Sequence, residues 1–127
     1  MVFSQIYLMV TDLERSREFF EDVLGFEPVS TGSSSVVYRD GGVELKLQSD
    51  FTEEEYGAFN LEPPGDRRGA GSVFNLETSD QEELNGFFER IRDSDVGEAV
   101  TEPMDVDWCY RMFLARSPDG YMFEVYC

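Results

Sequence analysis

Histidine is absent from all 127 residues. That excludes a Ser-His-Asp triad, a two-histidine iron site and any zinc site built on imidazole. A metal in this chain must be held by carboxylate, amide, hydroxyl, carbonyl or water oxygens, or by a thiolate. Cysteine is almost absent: Cys109 and Cys127 are the only two. They are too few for a disulfide framework and read as free thiols. No apolar run approaches the roughly 20 residues that cross a bilayer. The N-terminus lacks the basic start and long apolar stretch of a signal peptide, so a cytoplasmic location is expected. Lysine occurs once, as Lys46, beside nine arginines.

Acidic residues, by contrast, are abundant. The chain carries 27 of them against 10 basic ones, a net charge of −17. Such a surface repels phosphate backbones and acidic membranes, so neither nucleic acid nor membrane is an expected partner. Acid-rich, lysine-poor composition resembles proteins of salt-loving organisms, where salt screens self-repulsion over about 3 Å at about 1 M. The length fits one domain of roughly 100–150 residues. An apolar share of 41% supplies a core.

The chain repeats internally at a shift of 68 positions. Ser4, Leu8, Asp12 and Glu14 meet Ser72, Leu76, Asp80 and Glu82, and Phe19-Phe20-Glu21 meets Phe87-Phe88-Glu89. Ile6 with Phe74 and Val23 with Ile91 extend the match. Each half opens with a strand: Ile6 to Val10, then Ser72 to Thr78. Cap signals at Thr11-Asp12 and Thr78-Ser79-Asp80 precede helices over Leu13 to Leu24 and Gln81 to Arg92. Phe19, Phe20, Val23 and Leu24 give the first helix its apolar face; Leu84, Phe87, Phe88 and Ile91 do the same for the second. Gly25 ends the first helix.

Three strands follow each helix. In the first half they cover Glu27 to Ser30, Ser35 to Arg39 and Val43 to Gln48, with a turn at Asp40-Gly41-Gly42. In the second they cover Gly97 to Thr101, Arg111 to Arg116 and Met122 to Cys127, with a turn at Pro118-Asp119-Gly120. The expectation is an α+β domain of two βαβββ modules, about 1–50 and 71–127. The segment of about 51–70 links them, with Asp66-Arg67-Arg68-Gly69 near its end and a helical turn near Thr52 to Tyr56.

This order resembles the vicinal-oxygen-chelate superfamily of glyoxalase I, bleomycin-resistance proteins and extradiol dioxygenases. The stretch Val10-Thr11-Asp12-Leu13-Glu14-Arg15-Ser16, with Phe19-Phe20 and Val23-Leu24-Gly25-Phe26, is similar to its first helix. Trp108-Cys109-Tyr110-Arg111, then Ser117-Pro118-Asp119-Gly120 and Glu124, is similar to its last hairpin. The resemblance implies two curved sheets around a cleft, a small-molecule ligand and, in many members, a homodimer. In metal-dependent members it implies four ligands on the first and last strands of each module. Carried over, these fall on Gln5, Glu44 and Glu124, with Ser72 or Val73 in the third place; neither of the last two is a normal ligand.

Alternation independently turns Glu44 and Glu124 away from their apolar neighbours. Either carboxylate can serve as a general base if burial or a neighbour raises its pKa. Alternatively, each is a solvated acid on an open sheet. Arg111 can clamp an anionic group or pair with an acid. Tyr7, Tyr38, Phe74, Trp108 and Met112 line a pocket or belong to the core; Tyr7 and Phe74 are the preferred pocket residues. The functional reading is a binding protein that holds a small molecule in the cleft without the complete four-ligand metal site. The alternative is a metal-dependent, glyoxalase-like lyase or isomerase using Gln5, Glu44 and Glu124 with a divalent cation.

Overall fold

A computed structural model describes residues 1–66 and 68–127. Arg67, within the expected linker, lies outside the described residues. The chain is mixed α+β and divides into two compact units, Met1–Asp66 and Arg67–Cys127.

In the first unit, strand β1 (Gln5–Val10) leads into helix α1 (Leu13–Arg17), capped by the Asp12 carboxylate on the Arg15 N–H. The helix continues as a π-helical turn over Glu18–Val23. The Leu24 N–H reaches the Phe19 carbonyl at 3.0 Å and the Phe26 N–H reaches the Phe20 carbonyl at 2.9 Å. This widening lets the adjacent Phe19 and Phe20 both pack inward, edge to face at 5.2 Å. Gly25 then turns the chain at φ +81°, a left-handed conformation that favours glycine. Strands β2 (Pro28–Thr31), β3 (Ser35–Asp40) and β4 (Val43–Ser49) complete a sheet of order β1-β4-β3-β2. Strand β1 runs parallel to β4, with Gln5 opposite Glu44. Helix α2 (Glu53–Phe59) follows, opened by a Thr52–Glu55 capping box.

The second unit repeats the plan. Strand β5 (Val73–Glu77), helix α3 (Gln81–Asp93) and strands β6 (Glu98–Ala99), β7 (Met104–Val106), β8 (Cys109–Arg116) and β9 (Met122–Tyr126) form a five-stranded sheet. Its main path is β5-β9-β8-β6, and β7 pairs with β8. Strand β7 and all but two residues of the expected Gly97–Thr101 strand depart from the reading by propensity. The β8 edge is shared by two short strands, and the Val100 N–H reaches the Leu114 carbonyl outside regular pairing.

Each sheet packs one face on its helix. In the first unit Leu8, Val10, Val36, Tyr38 and Leu47 are buried with Phe19, Phe20 and Val23. In the second, Phe113, Ala115, Phe123 and Val125 are buried with Leu84 and Ile91. The opposite face of each sheet is left for other work. No helix among the described residues is long and apolar enough to cross a membrane.

Candidate functional site

The open face of the first sheet begins at Gln5, Tyr7 and Met9, which alternate with the buried Leu8 and Val10. Their ladder partners are Glu44, Lys46 and Gln48. Gln5 donates its side-chain N–H to Glu44 Oε1 at 3.1 Å, and Arg39 donates Nη2–H to Glu44 Oε2 at 2.5 Å. Both oxygens of Glu44 are therefore engaged. Lys46 stands 4.5 Å above the Tyr7 ring and donates to its hydroxyl at 3.2 Å. Tyr7 remains 51% exposed. Helix α2 caps one end of this face: buried Tyr56 donates its hydroxyl to Met9 Sδ at 3.3 Å, and Phe51 bridges Tyr56 and Phe59.

The open face of the second sheet carries Glu124, flanked in β9 by buried Phe123 and Val125. Its ladder partners are Asn75 and Leu114. Trp108, 69% exposed, donates its indole N–H to Glu124 Oε1 at 3.3 Å. Met112 is buried and pairs with Tyr126, in phase with Leu114 and Glu124. Arg111 joins Asp105 through Nη1 at 3.1 Å, while its Nε is buried without a hydrogen-bond partner.

Two of the expected pocket residues belong to the helix-packed faces. Tyr38 is buried between Phe20 and Phe26, and its hydroxyl donates to Glu21 Oε2 at 2.8 Å. Burial, and then the Glu21 carboxylate, push its pKa up. Phe74 pairs with buried Phe123, ring to ring at 5.5 Å, one step out of phase with Asn75 and Glu124. The β5 residues in phase with Glu124 are Val73, Asn75 and Glu77.

Asn75 is the residue the sequence reading missed. The gapless repeat equates Gln5 with Val73, but strand pairing equates it with Asn75: Gln5 lies opposite Glu44 as Asn75 lies opposite Glu124. Each unit thus sets an amide beside a carboxylate on its parallel ladder. Asn75 is the amide in the open-face phase of β5, and that phase is its signal in the sequence.

Parallel pairing of first and last strands, with a helix between, occurs twice in one short chain. The model of the Glyoxalase/Bleomycin resistance protein/Dioxygenase superfamily matches residues 2–125. The chain belongs to this superfamily. Solved glyoxalase-fold structures agree. A glyoxalase-related enzyme from Fulvimarina pelagi superposes with a TM-score of 0.85 at 18% identity, covering 98% of this chain and 86% of that one. A hypothetical protein from S. aureus gives 0.78 at 19%, covering 98% and 91%. Lactoylglutathione lyase from Agrobacterium tumefaciens gives 0.69 at 18%, covering 98% and 91%. At these identities the likeness carries the fold alone. No curated protein matches the sequence.

The four-ligand centre implied by resemblance to glyoxalases does not fit the residues as they stand. Among the described residues no three His, Cys, Asp or Glu side chains converge to hold a metal. Glu44 Oε2 is taken by a guanidinium, which competes directly with a cation. Gln5 turns its amide N–H to Glu44, so its oxygen, the atom a cation needs, faces elsewhere.

Proposed function

We propose that this superfamily member binds a small aromatic or cationic molecule on the open sheet face of its second unit, without a complete four-ligand metal site. One observation carries the reading: exposed Trp108 lies against the Glu124 carboxylate, held by the 3.3 Å indole hydrogen bond. An aromatic plane beside a carboxylate suits a cation twice, through the ring quadrupole and through charge. The net charge of −17 draws a cation in at long range.

The test is a thermal-shift screen of small aromatic amines and guanidines against the purified chain, followed by calorimetry on the hits. A ligand at 100 times its Kd raises stability by about 2.7 kcal/mol. Glu124→Gln and Trp108→Ala should each weaken binding about five- to thirtyfold, given roughly 1–2 kcal/mol for each contact. A screen with no stabilising compound, or binding indifferent to both substitutions, overturns the reading. The same plate holds magnesium, manganese, nickel and zinc. Stoichiometric binding of one of them, abolished by Glu44→Ala, favours the metal-dependent lyase or isomerase; the matched amide–carboxylate pairs are what support that alternative.

A further inference from the structure

Two thiols converge on one backbone oxygen. Cys109 opens β8 and donates its S–H to the Arg111 carbonyl, Sγ to O 3.4 Å. Cys127 follows β9, and its thiol reaches the same oxygen at 3.9 Å. That carbonyl also accepts the Cys127 backbone N–H at 3.1 Å, so it points across the gap between β8 and β9. The Cys109 thiol therefore leans toward the strand that carries its counterpart. The Tyr110 N–H reaches the Cys127 carbonyl at 2.9 Å, so Tyr110 and Arg111 together oppose Cys127 in a bulge. Both cysteines are free and partly exposed, open to a small solute. Both sulfurs thus stand within 4 Å of one oxygen, at 3.4 and 3.9 Å.

We propose that Cys109 and Cys127 form a reversible dithiol–disulfide site, oxidised by hydroperoxides, that clips β8 to β9 beside Trp108. In the first step a thiolate sulfur, its proton given to water, attacks the peroxide. The O–O bond breaks, the sulfur becomes a sulfenic acid, and an alcohol or water leaves with a proton. In the second step the other sulfur attacks the sulfenic sulfur. The S–S bond forms, the S–O bond breaks, and water leaves. Together the two thiols lose two electrons and two protons, which the peroxide takes up. A dithiol reductant reverses the bond by thiol–disulfide exchange. Trp108 adjoins Cys109 in sequence and holds Glu124 through its indole, so closing the bond alters the Trp108–Glu124 contact.

The test treats the full chain, dilute, with hydrogen peroxide and then with iodoacetamide. Untreated protein should take up two alkyl groups. Oxidised protein should take up none, weigh less by two hydrogens, and yield a peptide joining the Cys109 and Cys127 segments. Dithiothreitol should restore both thiols. The single tryptophan gives a second readout: its fluorescence should fall on oxidation and recover on reduction. Cys127→Ser and Cys109→Ser should each abolish the fall. The inference is overturned if both thiols stay alkylatable after peroxide, if only sulfinic or sulfonic acids form, or if the bond joins two chains alone. A fluorescence change that persists in both serine variants also overturns it.

Discussion

Replacing Glu21 with glutamine should destabilise the first unit near neutral pH and leave it unaffected in acid. Glu21 sits on the π-helical turn and accepts from Arg17 at 2.6 and 3.1 Å and from the Tyr38 hydroxyl at 2.8 Å. Hydrogen bonds to charged groups contribute about 1.5–3 kcal/mol, whereas an exposed i,i+4 ion pair contributes only about 0.3–0.5 kcal/mol. The Arg17 and Glu21 side chains are 26% and 21% exposed, between these limits. Glutamine keeps one oxygen for Tyr38. The net loss is therefore about 1–2 kcal/mol, or a Tm lower by roughly 4–8 °C for a domain of this size. The sign with pH follows from linkage. The Arg17 hydrogen bond, then that from Tyr38, holds the Glu21 pKa below its ordinary 4.5. A lowered carboxylate pKa gives stability that is complete above the unfolded value and is lost as pH falls through the folded one. The gap between wild type and Glu21→Gln should be constant above the ordinary carboxylate range, then narrow as pH falls and close below the lowered Glu21 value. The other acids titrate in both proteins and cancel in the difference. Thermal melts by circular dichroism across that range read the gap directly. A gap that persists undiminished in acid refutes the assignment of Glu21 as a charged partner of Arg17 and Tyr38.

Gly69 should not tolerate alanine. Its φ is +72°, and a Cβ there would stand 2.6 Å from Tyr121 Cδ1 and 3.2 Å from Tyr121 Cα. Left-handed strain of about 1–2 kcal/mol and overpacking of about 1–3 kcal/mol should total roughly 2–5 kcal/mol in urea unfolding. Gly71→Ala, at φ +90° but facing open space, should lose only the first of these. The assignment of faces is testable by a pair of variants. Phe74→Ala should cost about 2–3 kcal/mol through its lost packing on Phe123 while ligand affinity holds. Tyr7→Ala should change stability by under about 1 kcal/mol. The reverse pattern refutes the phase assigned to both strands.

Local signals carried most of the fold. Asp12, Asp80 and Thr52 each cap a helix, and Gly25 stops one. Phe19, Phe20, Val23 and Leu24 are buried together, as their spacing requires. What local signals did not show was the π-turn at Glu18–Val23, because two adjacent phenylalanines fit an ordinary helical stripe well enough on paper. Nor did they show β7 as a strand, since Met104–Val106 is held by the edge of β8 and not by its own propensity.

The face of each candidate carboxylate was legible in the sequence and its ladder partners were not, for a definite reason. Glu44 and Glu124 sit between apolar residues, so alternation alone assigns their face. Phe74 could also have been placed correctly, because the repeat matches it to Ile6, which is out of phase with Tyr7. Asn75 is different. A fixed shift aligns helices and caps, yet Gln5 stands seven residues before its cap Asp12 and Asn75 only five before its own, Asp80. Only the parallel ladder reveals which amide meets which carboxylate. Pairing restores a symmetry of amides and then shows where it ends. Arg39 neutralises Glu44, whereas an exposed indole donates to Glu124. Two equal modules thus present unequal charges, and a cationic ligand should dock on the Glu124 half, where the carboxylate meets an indole and not a guanidinium.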